Sequence, residues 1–335
     1  MQTRAWKLTP DGAYHWEAIE LPPLQPDEAL IRLRACGLCT GEVMDWYTLR
    51  KAPLVLGHEL VGEVVALGEG VAHLGLGDRV VVHHHAPCLK CELCRRGAFI
   101  HCPTWRNTKL YPGGLSEYFI TPAEIVQVDV LRVPDSVSDE RAAFTEPLAC
   151  VVRSLRRAGF KRGDTLAIIG MGVMGMLHLL LAQAWGASQI LAVDKLPHRL
   201  EFAASLGATP LHAADAPHTQ VAQPNIVIVG PGNMSALELA LQMVAPDGAV
   251  VLFTPAPPET RFPLNWHDVF FRETRLVPSY SASHLEMRQA LLQIASGLPV
   301  EKLITHRLPL ERAPEGYTLL REAEALKVMV ACSGA

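Results

Sequence analysis

A ten-residue run, Leu166-Ala167-Ile168-Ile169-Gly170-Met171-Gly172-Val173-Met174-Gly175, restricts this chain more than any other stretch. A short apolar strand pattern runs straight into G-x-G-x-x-G, and a helical pattern, Met174 to Trp185, leaves it. In that context each glycine has its own reason: Gly170 for a tight turn, Gly172 for close approach of backbone to a pyrophosphate, Gly175 for packing of the helix on the strand. Val173 and Met174 open the helix and complete the candidate cofactor loop. Asp194 ends the next apolar run, ILAVD, 24 residues after Gly170. A carboxylate there accepts hydrogen bonds from ribose hydroxyls and repels a 2′-phosphate, which favours NAD over NADP. Lys195, His198 and Arg199 offset part of that repulsion, and Arg199 joins the candidate cofactor contacts.

The texture around the loop is regular. Leu166 to Ile169, Gln189 to Val193, Ile226 to Val229 and Ala249 to Phe253 are short apolar runs, and the patterns Met174 to Trp185, His198 to Ser205 and Ala236 to Met243 are helical. Strands and helices alternating at this spacing predict an α/β fold with a doubly wound parallel sheet. Before residue 146, runs such as Glu28 to Leu33, Leu60 to Val65 and Arg79 to Val82 are punctuated by Gly, Pro and Asp, predicting an antiparallel, barrel-like β domain. After Pro278 come a helix, Leu285 to Ser296, and strand-like segments ending in Lys327 to Ala331. A chain of 335 residues has room for two domains. They are read as residues 1–145, completed by 279–335, and a nucleotide-binding domain at 146–278.

Thirty basic against 34 acidic residues, with the basic ones scattered, remove the electrostatic basis for a nucleic-acid or anionic-membrane partner. A small-molecule substrate is expected instead. Leu166 to Trp185 carries no charge, yet its three glycines with His178 and Gln183 make it strand, turn and helix rather than a membrane span. The opening MQTRAWKLTP has no apolar run before a cleavage site, so a cytoplasmic location is expected. Cys332-Ser333-Gly334-Ala335 has the outline of a prenylation box, but its middle residues are not aliphatic, and no lipid is expected there.

Eight cysteines in such a chain suggest metal ligands or buried thiols rather than disulfides. Cys88, Cys91, Cys94 and Cys102 make C-x2-C-x2-C-x7-C in a polar stretch with little core of its own. Four thiolates so close can enclose one tetrahedral zinc, leaving no open position, and the metal would organise the lobe. A second set is scattered along the chain: Cys39, the pair His58-Glu59, and Glu146. One thiolate, one imidazole and one or two carboxylates can hold zinc and still leave a position for water or a substrate oxygen. His83-His84-His85 follows the strand pattern RVVV, so its members are expected on alternate faces and no metal is expected there. Cys36 and Cys150 read as buried thiols. Trp46, Tyr47, Trp105, Trp266, Phe270 and Phe271 read as core, interface or cleft-lining aromatics.

Taken together these features resemble the zinc-dependent medium-chain dehydrogenase/reductase family over essentially the whole chain. The resemblance rests on Gly57-His58-Glu59, the run GEVVALGEG from Gly62 to Gly70, Gly77-Asp78-Arg79-Val80, the four-cysteine lobe and the glycine loop. Glu146-Pro147-Leu148-Ala149 resembles the polyol (sorbitol) and threonine dehydrogenase branch, in which a glutamate of this motif lies beside the catalytic zinc. The resemblance implies a GroES-like β-rich catalytic domain plus a Rossmann domain, two zinc ions per subunit, one catalytic and one structural, and a homo-oligomer, dimer or tetramer. It implies Cys39, His58 and Glu59 as ligands of the catalytic zinc, with Glu146 as fourth ligand or partner of its water. The implied reaction is hydride transfer between NAD and a secondary alcohol, polyol or sugar-like substrate. A zinc-free quinone or enone reductase on the same fold and a redox-inactive dinucleotide-binding protein are the competing readings, and Cys39, His58 and Glu59 speak against the first. The family commonly carries the substrate proton outward through a Ser or Thr two residues after the ligand cysteine and a His five residues after it. Here those positions are Gly41 and Met44, which makes Thr40 the candidate relay.

Overall fold

The computed structural model describes residues 1–216 and 223–332, so the last three residues of the terminal tetrapeptide lie outside the described residues. The chain folds as two compact units, Cys150–Ser281 and the remainder, Met1–Ala149 with Ala282–Ala335. The first boundary falls inside the helix Thr145–Ala158, where a change of sequence texture cannot register it.

In the unit Cys150–Ser281 the apolar runs pair as a six-stranded parallel sheet. Its order is Thr209–His212, Gln189–Asp194, Thr165–Ile169, Ile226–Val229, Ala249–Leu252, Arg275–Pro278. Ile226–Val229 is buried at every residue, as a strand covered on both faces must be, while the two edge strands are mostly exposed. Strand order reverses beside Thr165–Ile169, and the glycine loop leaves the carboxyl end of that strand. A doubly wound sheet opens a ligand crevice at such a point.

The other unit is built on antiparallel structure. One sheet runs Ile304–Pro309, Lys327–Ala331, Ala29–Gly37, Glu59–Leu67, Arg79–Val82, Val130–Arg132, and Tyr118–Thr121 pairs with Ala29–Gly37 as a seventh strand. The pairing of Ile304–Pro309 with Lys327–Ala331 is parallel and the others are antiparallel. A smaller sheet holds Tyr14–Glu20, Gln2–Leu8 and Leu54–Val55. Ala29–Gly37 alternates buried and half-buried residues and then is buried at its last three. Ile31, Leu33, Leu60, Val64, Val80 and Phe119 share one core, each large side chain contributing about 1.5–3 kcal/mol by its removal from water.

The sequence predicts the strand of Ile31 over Glu28 to Leu33, but it continues to Gly37 because Met329, Val330 and Ala331 pair with Gly37, Cys36 and Ala35. This extension sets out the site. Gly37 lies opposite Glu59, and Leu60 lies opposite Val82. Cys39, His58, His83 and Lys327, far apart in sequence, therefore arrive at the same end of one sheet.

Candidate functional site

Cys39 caps the short 3-10 helix Thr40–Val43, and its Sγ accepts the Gly41 N–H at 3.3 Å. One ligand atom from each of Cys39, His58 and Glu59 lies within 4.8 Å of the other two. Ligands about 2.0–2.3 Å from a tetrahedral zinc stand roughly 3.3–3.8 Å apart, so modest side-chain adjustment lets these three hold one ion.

His58 is oriented for that task. Its Nδ1 faces Glu42 Oε1 at 2.8 Å, which places the hydrogen of the neutral ring on Nδ1 and leaves the Nε2 lone pair for a metal. Glu42 is held in turn by the Gly57 N–H on Oε1 at 2.8 Å and the Tyr317 hydroxyl on Oε2 at 2.6 Å. Burial opposes charge on both partners. Even so, pairing with His58 lowers the Glu42 pKa, and the charges of Glu42 and Cys39 raise His58 well above the usual imidazole value.

Glu59 has a different tether. Lys327 Nζ donates to its two oxygens at 2.8 and 2.6 Å and to Leu38 O at 3.1 Å, with both side chains 1% exposed. A lone charge at that depth would cost several kcal/mol, so neither residue is tolerable there without the other. Burial disfavours the ammonium, but Glu59, Cys39 and Glu146 outweigh it and raise the Lys327 pKa. Gly37 provides the space: a Cβ there would stand 2.0 Å from Glu59 Oε2.

Glu146, in the first turn of Thr145–Ala158, converges with other partners. One of its oxygens and one nitrogen from each of His83 and His84 lie within 4.8 Å of one another. Its charge nevertheless acts on Glu59 and Lys327. The expected alternation of the histidines fails because the strand Arg79–Val82 ends before them and the chain bends at His84. His85 turns instead to Thr108 O, at 3.1 Å. Burial and the neighbouring imidazoles push His84 well below its usual pKa and His85 down to about 3. Thr40 is exposed, and a Cβ on Gly41 would lie 3.4 Å from Cys39 Sγ.

The four sulfurs of Cys88, Cys91, Cys94 and Cys102 lie within 4.8 Å of one another, with Cys91–Cys94 and Cys88–Cys102 both at 3.5 Å. Disulfide sulfurs are about 2.05 Å apart, whereas thiolates around one zinc stand roughly 3.8 Å apart. Backbone N–H groups of Lys90 and Cys91 lower Cys88 to about 6, which favours its thiolate. Apart from these sulfurs the lobe buries Ile100 and Trp105, so its core is as much sulfur as hydrocarbon.

In the glycine loop, Gly170 has φ +91°, and a Cβ on Gly175 would stand 2.1 Å from Gly170 O. A Cβ on Gly172 would meet no atom within 4 Å, so the open space over it suits a ligand. The helix Val173–Ala184 begins there without a side-chain cap, leaving its first N–H groups, those of Val173 and Met174 included, without intrahelical partners. Asp194 Oδ2 accepts the Met171 N–H at 2.6 Å and Oδ1 accepts the Leu196 N–H at 2.9 Å, which ties the carboxylate to the loop. Arg199 is half-buried in the helix Pro197–Ser205 and Lys195 is exposed.

Among the aromatics, Trp105 packs on His85 with ring centroids 4.1 Å apart and belongs to the lobe core. Trp46 and Tyr47 are half-buried near Arg50, while Trp266, Phe270 and Phe271 are exposed. Cys36 is buried but Cys150 is half-buried, which corrects the expectation for the latter. Sequence reasoning missed Glu42, Tyr317 and Lys327. Lys327 carried a signal, since it is the one charge in the strand KVMVA; Tyr317 carried none. No helix among the described residues is long and apolar enough to cross a membrane.

Residues 25–135 match the family model of the alcohol dehydrogenase GroES-like domain, and residues 173–296 match that of the zinc-binding dehydrogenases. Sorbitol dehydrogenase of Bombyx mori is 31% identical, with 94% of each chain covered. L-threonine 3-dehydrogenase of Chelativorans sp. (strain BNC1) is 30% identical, with 97% of each covered. The solved alcohol dehydrogenase TADH from Thermus sp. ATN1 superposes with a TM-score of 0.87 at 33% identity, covering 98% of this chain and 100% of that one.

Proposed function

Because the chain belongs to the zinc-binding alcohol dehydrogenase family, we propose that it transfers hydride between NAD and a secondary alcohol, polyol or sugar-like substrate. The observation that carries this reading is the convergence of Cys39, His58 and Glu59 within 4.8 Å, with Glu42 holding the far nitrogen of the imidazole. When bound, zinc supplies Lewis-acid polarisation of the substrate hydroxyl and NAD supplies the hydride acceptor.

The chain's own residues do the rest. Cys39, His58 and Glu59 hold the metal, and Glu146 adjusts the remaining position. Lys327 balances the charge of Glu59 and keeps one thiolate and two carboxylates from repelling each other. Thr40, exposed one residue beyond Cys39, passes the substrate proton to solvent. Gly170, Gly172, Val173, Met174 and Gly175 hold the pyrophosphate. Asp194 accepts from the ribose, with Arg199 beside it. Cys88, Cys91, Cys94 and Cys102 hold a second, structural zinc, giving two per subunit. The exposed Trp266, Phe270 and Phe271 on one short helix support a homo-oligomer, dimer or tetramer. Eight free cysteines support a reducing compartment, the cytoplasm.

The test is NADH formation by protein loaded with two zinc ions per subunit, with a panel of polyols, sugars, cyclitols, threonine and simple diols. At least one polyol or related secondary alcohol is expected to turn over, and Cys39→Ser is expected to abolish turnover while NAD binding persists. Full activity of a Cys39→Ser protein that lacks its second zinc refutes the reading.

A further inference from the structure

His83 and Asp129 are both fully buried, and they are tied twice. His83 Nδ1 faces Asp129 Oδ2 at 2.6 Å, and the His83 N–H donates to Asp129 O at 3.2 Å. A carboxylate on Nδ1 is the partner that orients metal-binding imidazoles, because it leaves Nε2 as the lone-pair nitrogen. That Nε2 is buried without a hydrogen-bond partner among the described residues, and so is Nδ1 of His84. One nitrogen from each of the two rings and a Glu146 oxygen lie within 4.8 Å of one another.

We propose that His83, His84 and Glu146 form an accessory site for a divalent cation such as zinc, separate from the Cys39, His58 and Glu59 set. Two imidazoles and one carboxylate are a donor set that zinc accepts in open sites. A cation there supplies the orphaned His83 Nε2 with a partner, and Asp129 serves as the outer carboxylate that fixes the His83 ring. His85 takes no part, since its Nδ1 faces Thr108 O. The two sets are neighbours, with the rings of His84 and His58 5.0 Å apart between centroids. Because Glu146 also serves the catalytic set proposed above, a cation in the accessory site ties that carboxylate down and inhibits. The inhibitory step rests on the dehydrogenase reading; the binding does not.

The experiment is a zinc titration of the full chain, with metal content measured after removal of loosely held ion. The wild type is expected to hold a third equivalent beyond the four-cysteine and Cys39 sites. His84→Ala and His83→Gln are expected to hold two, and Asp129→Asn is expected to weaken the third equivalent about 10- to 100-fold. Cys39→Ser is expected to lose one equivalent and keep the accessory one. His84 is only half-buried, so its substitution keeps the test sound if His83→Gln fails to fold. Saturation of the wild type at two equivalents, or loss of both non-lobe equivalents in Cys39→Ser, overturns the proposal. A chain that binds three equivalents but turns over no alcohol even after the third is stripped leaves the site standing and refutes the dehydrogenase reading instead.

Discussion

Tyr317→Phe isolates a single hydrogen bond in the support of the catalytic metal set. The ring is buried and stacks on Tyr14 with centroids 5.5 Å apart and planes 8° from parallel, so phenylalanine keeps the shape and the packing. The change removes the 2.6 Å bond to Glu42 Oε2 and leaves a buried carboxylate oxygen unsatisfied. A hydrogen bond to a charged group contributes about 1.5–3 kcal/mol. If that loss passes to His58 through Glu42, zinc affinity falls about 10- to 100-fold at about 1.4 kcal/mol per decade, which is also the usual effect of losing an outer-shell partner. The assay is zinc release to a chromophoric chelator under native conditions, where the four-cysteine site serves as an internal reference because it shares no residue with this network. Release of the zinc held by Cys39, His58 and Glu59 is expected to accelerate at least about tenfold while that of the four-cysteine zinc is unchanged. Release at the wild-type rate, or equal acceleration of both ions, refutes the idea that Tyr317 positions His58.

Cys91→Ser is expected to lose one zinc and to raise hydrogen exchange across residues 85–105, with the Cys39 set still loaded; a wild-type melting curve and zinc content count against it. Asp194→Asn removes charge while keeping an acceptor for the loop, and the ratio of kcat/KM for NADP over NAD is expected to rise about tenfold, near 1.4 kcal/mol; unchanged constants for both cofactors mean the ribose binds elsewhere. His178 is fully buried between Met174 O and Ser154 Oγ, and burial lowers its pKa to about 4. The unfolded chain binds that proton below about 6.5 and the folded chain only below about 4, so stability is lost as pH falls through this window, by about 3 kcal/mol. In His178→Gln that component is absent, and hydrogen exchange of the central strand Thr165–Ile169 is expected to depend less on acid than in the wild type; identical pH profiles refute the assignment.

What the sequence disclosed depended on how far apart the cooperating atoms lie along the chain. The glycine loop and the four cysteines are local devices: a turn, a helix start and a sulfur cluster each close within a few residues, so spacing alone exposes their chemistry. Cys39, His58 and Glu59 became legible as a set through family resemblance, because nothing in the 21 residues of intervening sequence says that Gly37 pairs with Glu59. Tyr317 reaches Glu42 across 275 positions and Lys327 reaches Glu59 across 268, and such contacts follow from the return of the C-terminal strand onto Ala29–Gly37. The histidine triplet was misread for the opposite reason. Alternation of faces is a property of a continuing strand, and this strand stops at Val82, so the rule does not reach His83, His84 or His85. The same break that defeats the rule lets two adjacent side chains turn toward one carboxylate, which an unbroken strand would forbid.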